Sequence, residues 1–271
     1  MDDSTGSTAT GRYVLVGLGG IGGWVLRMLV PYLHSLREPV TVVAVDGDAF
    51  EERNRERMLF GRPGPKALVL AEEMSRIYGD RITLLPVPHY LTAKNASRLI
   101  ANGDVVFCQP DNHATRRIVE RRCRRLRDVA LFCGGNDGVE EESSGTCGSV
   151  IIYLRKDGRD LSNPISRFHP EIARPRDAVP GSQGCGLAAR SAPQILFANA
   201  AVATAMLGAF YAWRTGHLRH EEVCLDVVTG KAVPVHREVR PASRASSRPG
   251  QNDARGASRR SPVSSDSAEP P

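Results

Sequence analysis

A glycine-rich stretch near the start of the chain is the first feature of this sequence that could do chemistry. It reads Gly17-Leu18-Gly19-Gly20-Ile21-Gly22 and lies between two apolar segments. Gly17 permits a tight bend, Gly19 lets a phosphate approach the backbone, and Gly22 lets a helix pack closely on a strand. Free amides at the helix start then face the anion. The whole stretch, including Gly20, predicts a turn that binds phosphate. A turn that serves only the close packing of a helix on a strand would have the same glycines.

Five polar residues downstream narrow the choice of ligand. Asp46 and Asp48 follow a second apolar run, where a carboxylate can accept hydrogen bonds from a ribose hydroxyl. Arg57 and Lys66 are cations that could hold the β- and γ-phosphates of a triphosphate. Asp111 follows a later strand and is a natural Mg²⁺ ligand beside phosphate oxygens. Together these residues predict a site for a nucleoside triphosphate and its metal, in which the α-phosphate is attacked.

The combination of motifs resembles the ThiF/HesA/MoeB family, the bacterial relatives of ubiquitin-activating enzymes. The resemblance covers residues 11 to 135 well and 145 to 235 loosely, and it rests on the glycine stretch, Asp46-x-Asp48, Asn54-x-x-Arg57, Gly64-Pro65-Lys66 and Asp111-Asn112-x-x-x-Arg116. Members adenylate the C-terminal carboxylate of a small ubiquitin-like or sulfur-carrier protein, or of an analogous acceptor, and release pyrophosphate. The resemblance implies a homodimer in which Asp111 holds Mg²⁺ and ATP is bound by Gly17, Gly19, Gly20, Gly22, Asp46, Asp48, Asn54, Arg57, Lys66 and Asn112.

Cys185 is a candidate nucleophile. It stands in Gly184-Cys185-Gly186, just before a long apolar segment. In some relatives a thiol on the corresponding crossover loop takes the activated carboxylate or sulfur. A thiol in a glycine-flanked loop near a helix start could have a lowered pKa and attack an acyl group. The alternative is a loop or core cysteine without chemistry.

The chain also departs from the family pattern. The usual N-terminal helix, with an arginine that reaches the partner subunit's ATP, has no room before Tyr13. Met58 stands where a glutamine is usual, and the spacing from Arg57 to Lys66 is short. The two C-x-x-C pairs are missing, so no structural zinc is expected. These differences leave the acceptor and the dimer-dependent arginine open.

Alternation of apolar runs and helical spacing predicts the fold class. We expect a doubly wound, Rossmann-like, mostly parallel sheet with a C-terminal antiparallel extension. The predicted parallel strands cover residues 13–16, 40–45, 82–85, 104–107 and 129–132, and the predicted helices cover 21–33, 66–77, 93–100 and 112–126. The later part has strands at 149–154, 223–228 and 231–235, and a long helix at 192–213 that is read as a buried core helix rather than a membrane span.

Composition divides the chain into three parts. Residues 1–11 are expected to be a flexible N-terminus, 12–235 one nucleotide-binding adenylation domain, and 236–271 a disordered tail rich in Arg, Ser and Pro. Half of the net charge of +6 lies in that tail, so nucleic-acid binding does not follow from the basic pI. Seven arginines between residues 116 and 127 form either a solvated helix face or a surface for an acidic partner. The polar start and the six cysteines predict a cytoplasmic protein with reduced thiols.

Two other functions remain open from the sequence. An NAD-dependent oxidoreductase could use the same glycine turn, but it would not need Arg57, Lys66 and Asp111 together. A degenerate nucleotide-binding or partner-docking protein would explain the missing N-terminal helix. Tight ATP binding without ATP–pyrophosphate exchange would favour that second alternative.

Overall fold

A nine-stranded mixed sheet is the centre of the fold in the computed structural model, which describes residues 11–55, 58–137, 139–140, 143–167, 169–180 and 195–236. The strands in these ranges are numbered in chain order: β1 Arg12–Val16, β2 Val40–Val45, β3 Ala49–Phe50, β4 Gly64–Pro65, β5 Ile82–Val87, β6 Val105–Cys108, β7 Val129–Asn136, β8 Val139–Glu140, β9 Ser143–Ser144, β10 Cys147–Lys156, β11 Arg159–Asp160, β12 Glu222–Asp226 and β13 Lys231–Val235.

The order of the strands shows how the sheet is built. It runs β13-β12-β10-β7-β6-β1-β2-β5, and β11 pairs with the end of β10. All neighbours from β7 to β5 are parallel. The strands β10, β12 and β13 continue from β7 in antiparallel pairs. This topology confirms the predicted doubly wound sheet with a C-terminal antiparallel extension.

Helices cover both faces of the sheet, which is why its strands are apolar on both sides. They are α1 Gly20–Ser35, α2 Lys66–Tyr78, α3 Ala96–Leu99, α4 His113–Cys123, α5 Pro170–Ala173 and α6 Leu196–Arg214. Side chains alternate along each strand. Leu15 of β1 therefore packs in the core under α1, α2 and α6, whereas Val14 packs under α3, α4 and α5.

The helix α6 is the one described helix that is long and apolar enough to cross a membrane, with a mean hydropathy of 1.4. Its residues Val202, Met206 and Phe210 are fully buried in the core of the sheet. The ring of Phe210 meets those of Tyr13 and Phe107 edge-on, at centroid distances of 5.9 and 5.5 Å. In this fold α6 packs as a core helix, as its sequence predicts.

Two predicted helices are shorter in the structure. The helix expected at 93–100 forms only as α3, because the Asn95 side chain accepts a hydrogen bond from the Thr92 amide at 2.7 Å and closes a turn before it. The helix expected to reach Leu126 ends at Cys123, where the amides of Arg125 and Leu126 bond to carbonyls only three residues back. Residues 192–194 of the predicted long helix, the tail from 237 and residues 1–10 lie outside the described ranges.

The glycine turn joins β1 to α1 by two close backbone contacts. Gly17 has a φ of +88°, and a Cβ atom there would lie 2.9 Å from the Pro110 nitrogen. A Cβ atom on Gly22 would overlap the carbonyl oxygen of Gly17. The turn therefore depends on the absence of side chains at both positions, as the sequence predicts.

We expect Gly22→Ala to destabilise the fold by about 1–3 kcal/mol, because backbone must move to admit the methyl group. Gly208→Ala is the matched control in α6, since nothing lies within 4 Å of its Cβ position. That substitution should stabilise the protein by about 0.5–1 kcal/mol through helix propensity. Chemical denaturation of both variants measures the difference. Equal stabilities would show that β1 and α1 do not meet closely at Gly22.

Candidate functional site

The glycine turn lies at the carboxyl edge of the parallel strands, where ligands bind in open α/β sheets. Its helix, α1, has Gly19 as N-cap and no side-chain cap. The leading amides of a helix have no partner within the helix, and the helix dipole makes that end positive. Met58 lies beside the turn, with its Cε 3.7 Å from a Cβ position on Gly19. The turn can therefore accept an anion.

Asp46 fixes this turn to the end of β2. One carboxylate oxygen accepts a hydrogen bond from the Leu18 amide at 2.6 Å, and the other accepts one from the Asp48 amide at 2.8 Å. Burial raises the pKa of Asp46, while the Lys66 charge and the two amide hydrogen bonds act in the opposite direction. Each oxygen keeps a second lone pair that a ribose hydroxyl could use. Asp46 therefore positions the backbone at Leu18 and Asp48, in addition to its predicted role in binding the ribose.

Asp48 and Lys66 form a second polar pair, two residues beyond Asp46. The β3–β4 ladder pairs Ala49 with Pro65 and so brings the start of α2 next to Asp48. Lys66 is the first residue of α2; its amide donates to the Asp48 carbonyl at 2.9 Å and its Nζ lies 3.0 Å from the Asp48 carboxylate. The Lys66 side chain is buried, whereas that of Asp48 is half exposed. A buried ammonium is therefore held in place at the edge of the glycine turn.

Tyr90 extends this pair, and no motif in the sequence indicates it. Asp46, Asp48, Lys66 and Tyr90 are called the polar chain below. It follows β5 at the carboxyl edge, and its hydroxyl donates a hydrogen bond to Asp48. Burial alone would raise the pKa of Asp48, but the Lys66 charge and the hydrogen bonds from Tyr90 and Lys66 hold that pKa below its ordinary value. Burial, the bond to Asp48 and the nearby charges of Asp46 and Asp111 raise the pKa of Tyr90. Only its position directly after a parallel strand could have signalled this residue.

Asp111 and Asn112 lie between β6 and α4. Asp111 is exposed, and no hydrogen bond joins its carboxylate to another residue in the described part of the chain. Its charge is one of the causes that raise the pKa of Tyr90, which places it within electrostatic range of that residue. Asn112 is buried and caps α4, because its Oδ1 accepts the Thr115 amide at 2.8 Å. Its predicted nucleotide contact stays a prediction.

Of the remaining predicted residues, Asn54 is the one that lies in the described part of the chain. Asn54 is half-buried, and its Oδ1 accepts the Glu51 amide at 3.2 Å, which closes a 3-10 turn. Its predicted contact with the nucleotide also stays a prediction. Arg57 and Cys185 lie outside the described residues, so the structure does not place either of them.

Gln109 and Arg116 support the turn from the side of β6 and β7. Gln109 follows β6, and its Nε2 donates to the carbonyl of Gly17 at 2.9 Å. Arg116 donates to the carbonyls of Pro110 and Gly134 at 3.1 and 3.2 Å and so joins the ends of β6 and β7. The sequence shows Arg116 as part of a motif but gives it no role. Within the described ranges, no group of three or more His, Cys, Asp or Glu side chains is arranged to hold a metal ion.

Solved structures with this fold share little sequence with the chain. The crystal structure of E. coli MccB with ATP has a TM-score of 0.59 and 14% identity, covering 88% of this chain and 66% of that one. MccB with selenomethionine MccA has a TM-score of 0.58 and 13% identity, covering 85% and 66%. Selenomethionine PaaA has a TM-score of 0.58 and 14% identity, covering 84% and 64%. The chain thus spans just under two thirds of the length of these proteins.

No curated protein matches the chain. The model of the ThiF family, by contrast, matches residues 3–217, which include the whole glycine turn and the polar chain from Asp46 to Tyr90. That range is well over half of the 271 residues. The resemblance that the motifs predict is confirmed, and the chain belongs to the ThiF family.

Proposed function

We propose that this protein is an ATP-dependent adenylyltransferase that activates a carboxylate. The observation that carries the proposal is the buried Lys66 ammonium, 3.0 Å from Asp48 and fixed at the edge of the glycine turn. A nicotinamide site needs the turn and Asp46 but has no use for this cation. Membership of the ThiF family and a relative of the same fold that is solved with ATP support the proposal.

Different residues of the site are proposed to bind different groups of the nucleotide. The start of α1 faces a phosphate with free amides, and Asp46 offers its carboxylate to the ribose. Lys66 stabilises negative charge on the phosphates, and Arg57 is proposed to do the same. In the reaction a carboxylate oxygen of the acceptor forms a bond to the α-phosphorus, the bond to the β-phosphate oxygen breaks, and pyrophosphate leaves. Charge stabilisation by fixed groups is the main contribution of such a site.

Asp111 is the proposed magnesium ligand. Mg²⁺ is usually held by one or two carboxylates together with phosphate oxygens. Asp111 fits this requirement because it is exposed, lies within electrostatic range of Tyr90 and makes no hydrogen bond to another described residue. When bound, the ion would offset the phosphate charge. Asp46 and Asp48 are already engaged by backbone amides, Lys66 and Tyr90.

The finer features of the function are also proposals. We infer an acceptor that ends in a carboxylate, such as a small ubiquitin-like or sulfur-carrier protein or a peptide. MccB is solved with MccA, which supports a polypeptide acceptor for this fold. We also propose that the Cys185 thiol attacks the acyl adenylate, which forms a thioester as the bond from the acyl carbon to the phosphate oxygen breaks and AMP leaves. A homodimer and a cytoplasmic location complete the proposal.

Lys66→Ala should weaken Mg-ATP binding by about 10- to 100-fold, the effect of losing one charge-assisted hydrogen bond. AMP binding should change much less, because AMP lacks the β- and γ-phosphates. Lys94→Ala, which removes an exposed lysine, is the control and should leave both affinities unchanged. Calorimetry with the two nucleotides measures this. An equal loss for AMP and ATP would show that Lys66 only supports the fold.

Asp111→Asn should remove most of the effect of magnesium on ATP affinity and should abolish ATP–pyrophosphate exchange, because the amide is a poor magnesium ligand. The melting temperature should stay the same, since Asp111 is exposed. The measurement compares ATP affinity with magnesium and with EDTA for both proteins. An unchanged magnesium effect in the variant would exclude Asp111 as the ligand.

A further inference from the structure

Three carboxamide side chains near the glycine turn have polar atoms without a hydrogen bond to any described residue. These atoms are Gln109 Oε1 and both the nitrogen and the oxygen of Asn136 and of Asn199. Asn199 is 0% exposed and Gln109 is 7% exposed, whereas Asn136 is half-buried. A buried amide without a partner loses the hydrogen bonds it makes to water, so such groups call for an explanation. We call these three residues the carboxamide cluster.

Packing contacts bring the cluster together around the start of α1. Asn199, in the first turn of α6, packs on Gly20: a Cβ atom there would overlap Asn199 Nδ2 and lie 2.7 Å from its Cγ. Gln109 Nε2 would lie 2.9 Å from a Cβ atom on Gly22. Both side chains therefore touch the glycine-rich start of α1, one from α6 and one from the end of β6.

Asn136 joins the cluster from the end of β7. Its Cβ is 3.4 Å from the Cβ position of Gly148, and Val202 packs on the same glycine. Val202 and Asn199 are three residues apart on α6 and so lie on one face of that helix. Asn136 as a whole is half-buried, while both polar atoms of its amide are buried.

The chemistry of the cluster selects among ligands. A carboxamide has both a donor and an acceptor, and this holds whichever way its nitrogen and oxygen are placed. A phosphate or a carboxylate would satisfy the donors and leave the amide oxygens facing negative charge. A peptide unit has one N–H and one C=O and can satisfy both kinds of atom. An uncharged amide group is therefore the better match.

The cluster lies on the other side of β1 from most of the charged residues, although Asp111 follows β6 on the side of the cluster. Asp46, Asp48, Lys66 and Tyr90 lie beyond β1 towards β2 and β5, whereas the cluster lies on the β6 and β7 side. The start of α1 stands between them. We propose that the carboxamide cluster binds the peptide unit next to the carboxylate that is activated, a proposal that rests on the adenylyltransferase function above.

The test uses N-acetylglycine, which has a carboxylate and one peptide unit, and pentanoate, a carboxylate of equal chain length without one. Ligand-observed NMR titrations give their affinities for the protein with Mg²⁺ and α,β-methylene-ATP. N-acetylglycine should bind about five- to tenfold more tightly, which corresponds to one or two hydrogen bonds. Asn199→Leu should remove this preference and leave the affinity for the nucleotide analogue unchanged.

Stability distinguishes a binding role from a structural one. Asn199→Leu should keep or raise the melting temperature, because it removes an unpartnered buried amide. Asn102→Leu is the control: both its amide nitrogen and its amide oxygen are hydrogen-bonded, to Asp128 and to the amides of Arg127 and Asp128, so this variant should melt lower and keep the preference. If Asn199→Leu does not fold, Asn136→Ala gives the same readout at a half-buried position.

Equal affinities of the two acids, no binding of either, or a preference that survives in the folded variant would overturn the proposal. If the protein is not an adenylyltransferase, the experiment gives a result that differs from each of these three outcomes. In that case the wild-type protein would not bind the ATP analogue, while titrations of the two acids without nucleotide would still report on the cluster.

Discussion

The carboxylate of Asp46 makes the contact on which the site depends. Its two oxygens accept the amides of Leu18 and Asp48 at 2.6 and 2.8 Å, which ties the glycine turn to the end of β2. The same contact orients Asp48, and through it the Lys66 ammonium and the Tyr90 hydroxyl. Burial raises the pKa of the Asp46 carboxyl, and the two amide hydrogen bonds and the Lys66 charge act in the opposite direction. A single buried carboxylate thus positions both the anion-binding turn and the cation beside it.

The sheet presents two different kinds of group at its carboxyl edge. Asp46 and Asp48 follow β2, Lys66 begins α2 and Tyr90 follows β5, whereas carboxamides stand at the ends of β6 and β7 and at the start of α6, with the carboxylate of Asp111 also after β6. The topology puts the start of α1 between them, because β1 is the strand between β6 and β2. This division suits a reaction between a highly charged nucleotide and an acceptor that is recognised through neutral groups. It follows from strand order rather than from any one motif.

The alternation of apolar segments was sufficient to predict the sheet, because parallel strands buried on both faces need continuous apolar runs. Close packing at Gly22 was predictable for a similar local reason. Tyr90 and Gln109 were not predictable, since nothing in their neighbourhood in the sequence shows that they meet Asp48 and Gly17. Asn112 and Asn95 show a second difficulty. Their side chains bond to nearby backbone amides, and a sequence pattern does not tell such a cap from a ligand contact.

The central claim is that the turn and its polar chain form a triphosphate site rather than a dinucleotide site. The fold is shared with MccB and PaaA at 13–14% identity, a likeness that does not decide which nucleotide this chain binds. Calorimetric titration of the wild-type protein with Mg-ATP and with NAD decides it directly. We expect saturable binding of Mg-ATP and binding of NAD that is at least about tenfold weaker. Equal or tighter binding of NAD would contradict it.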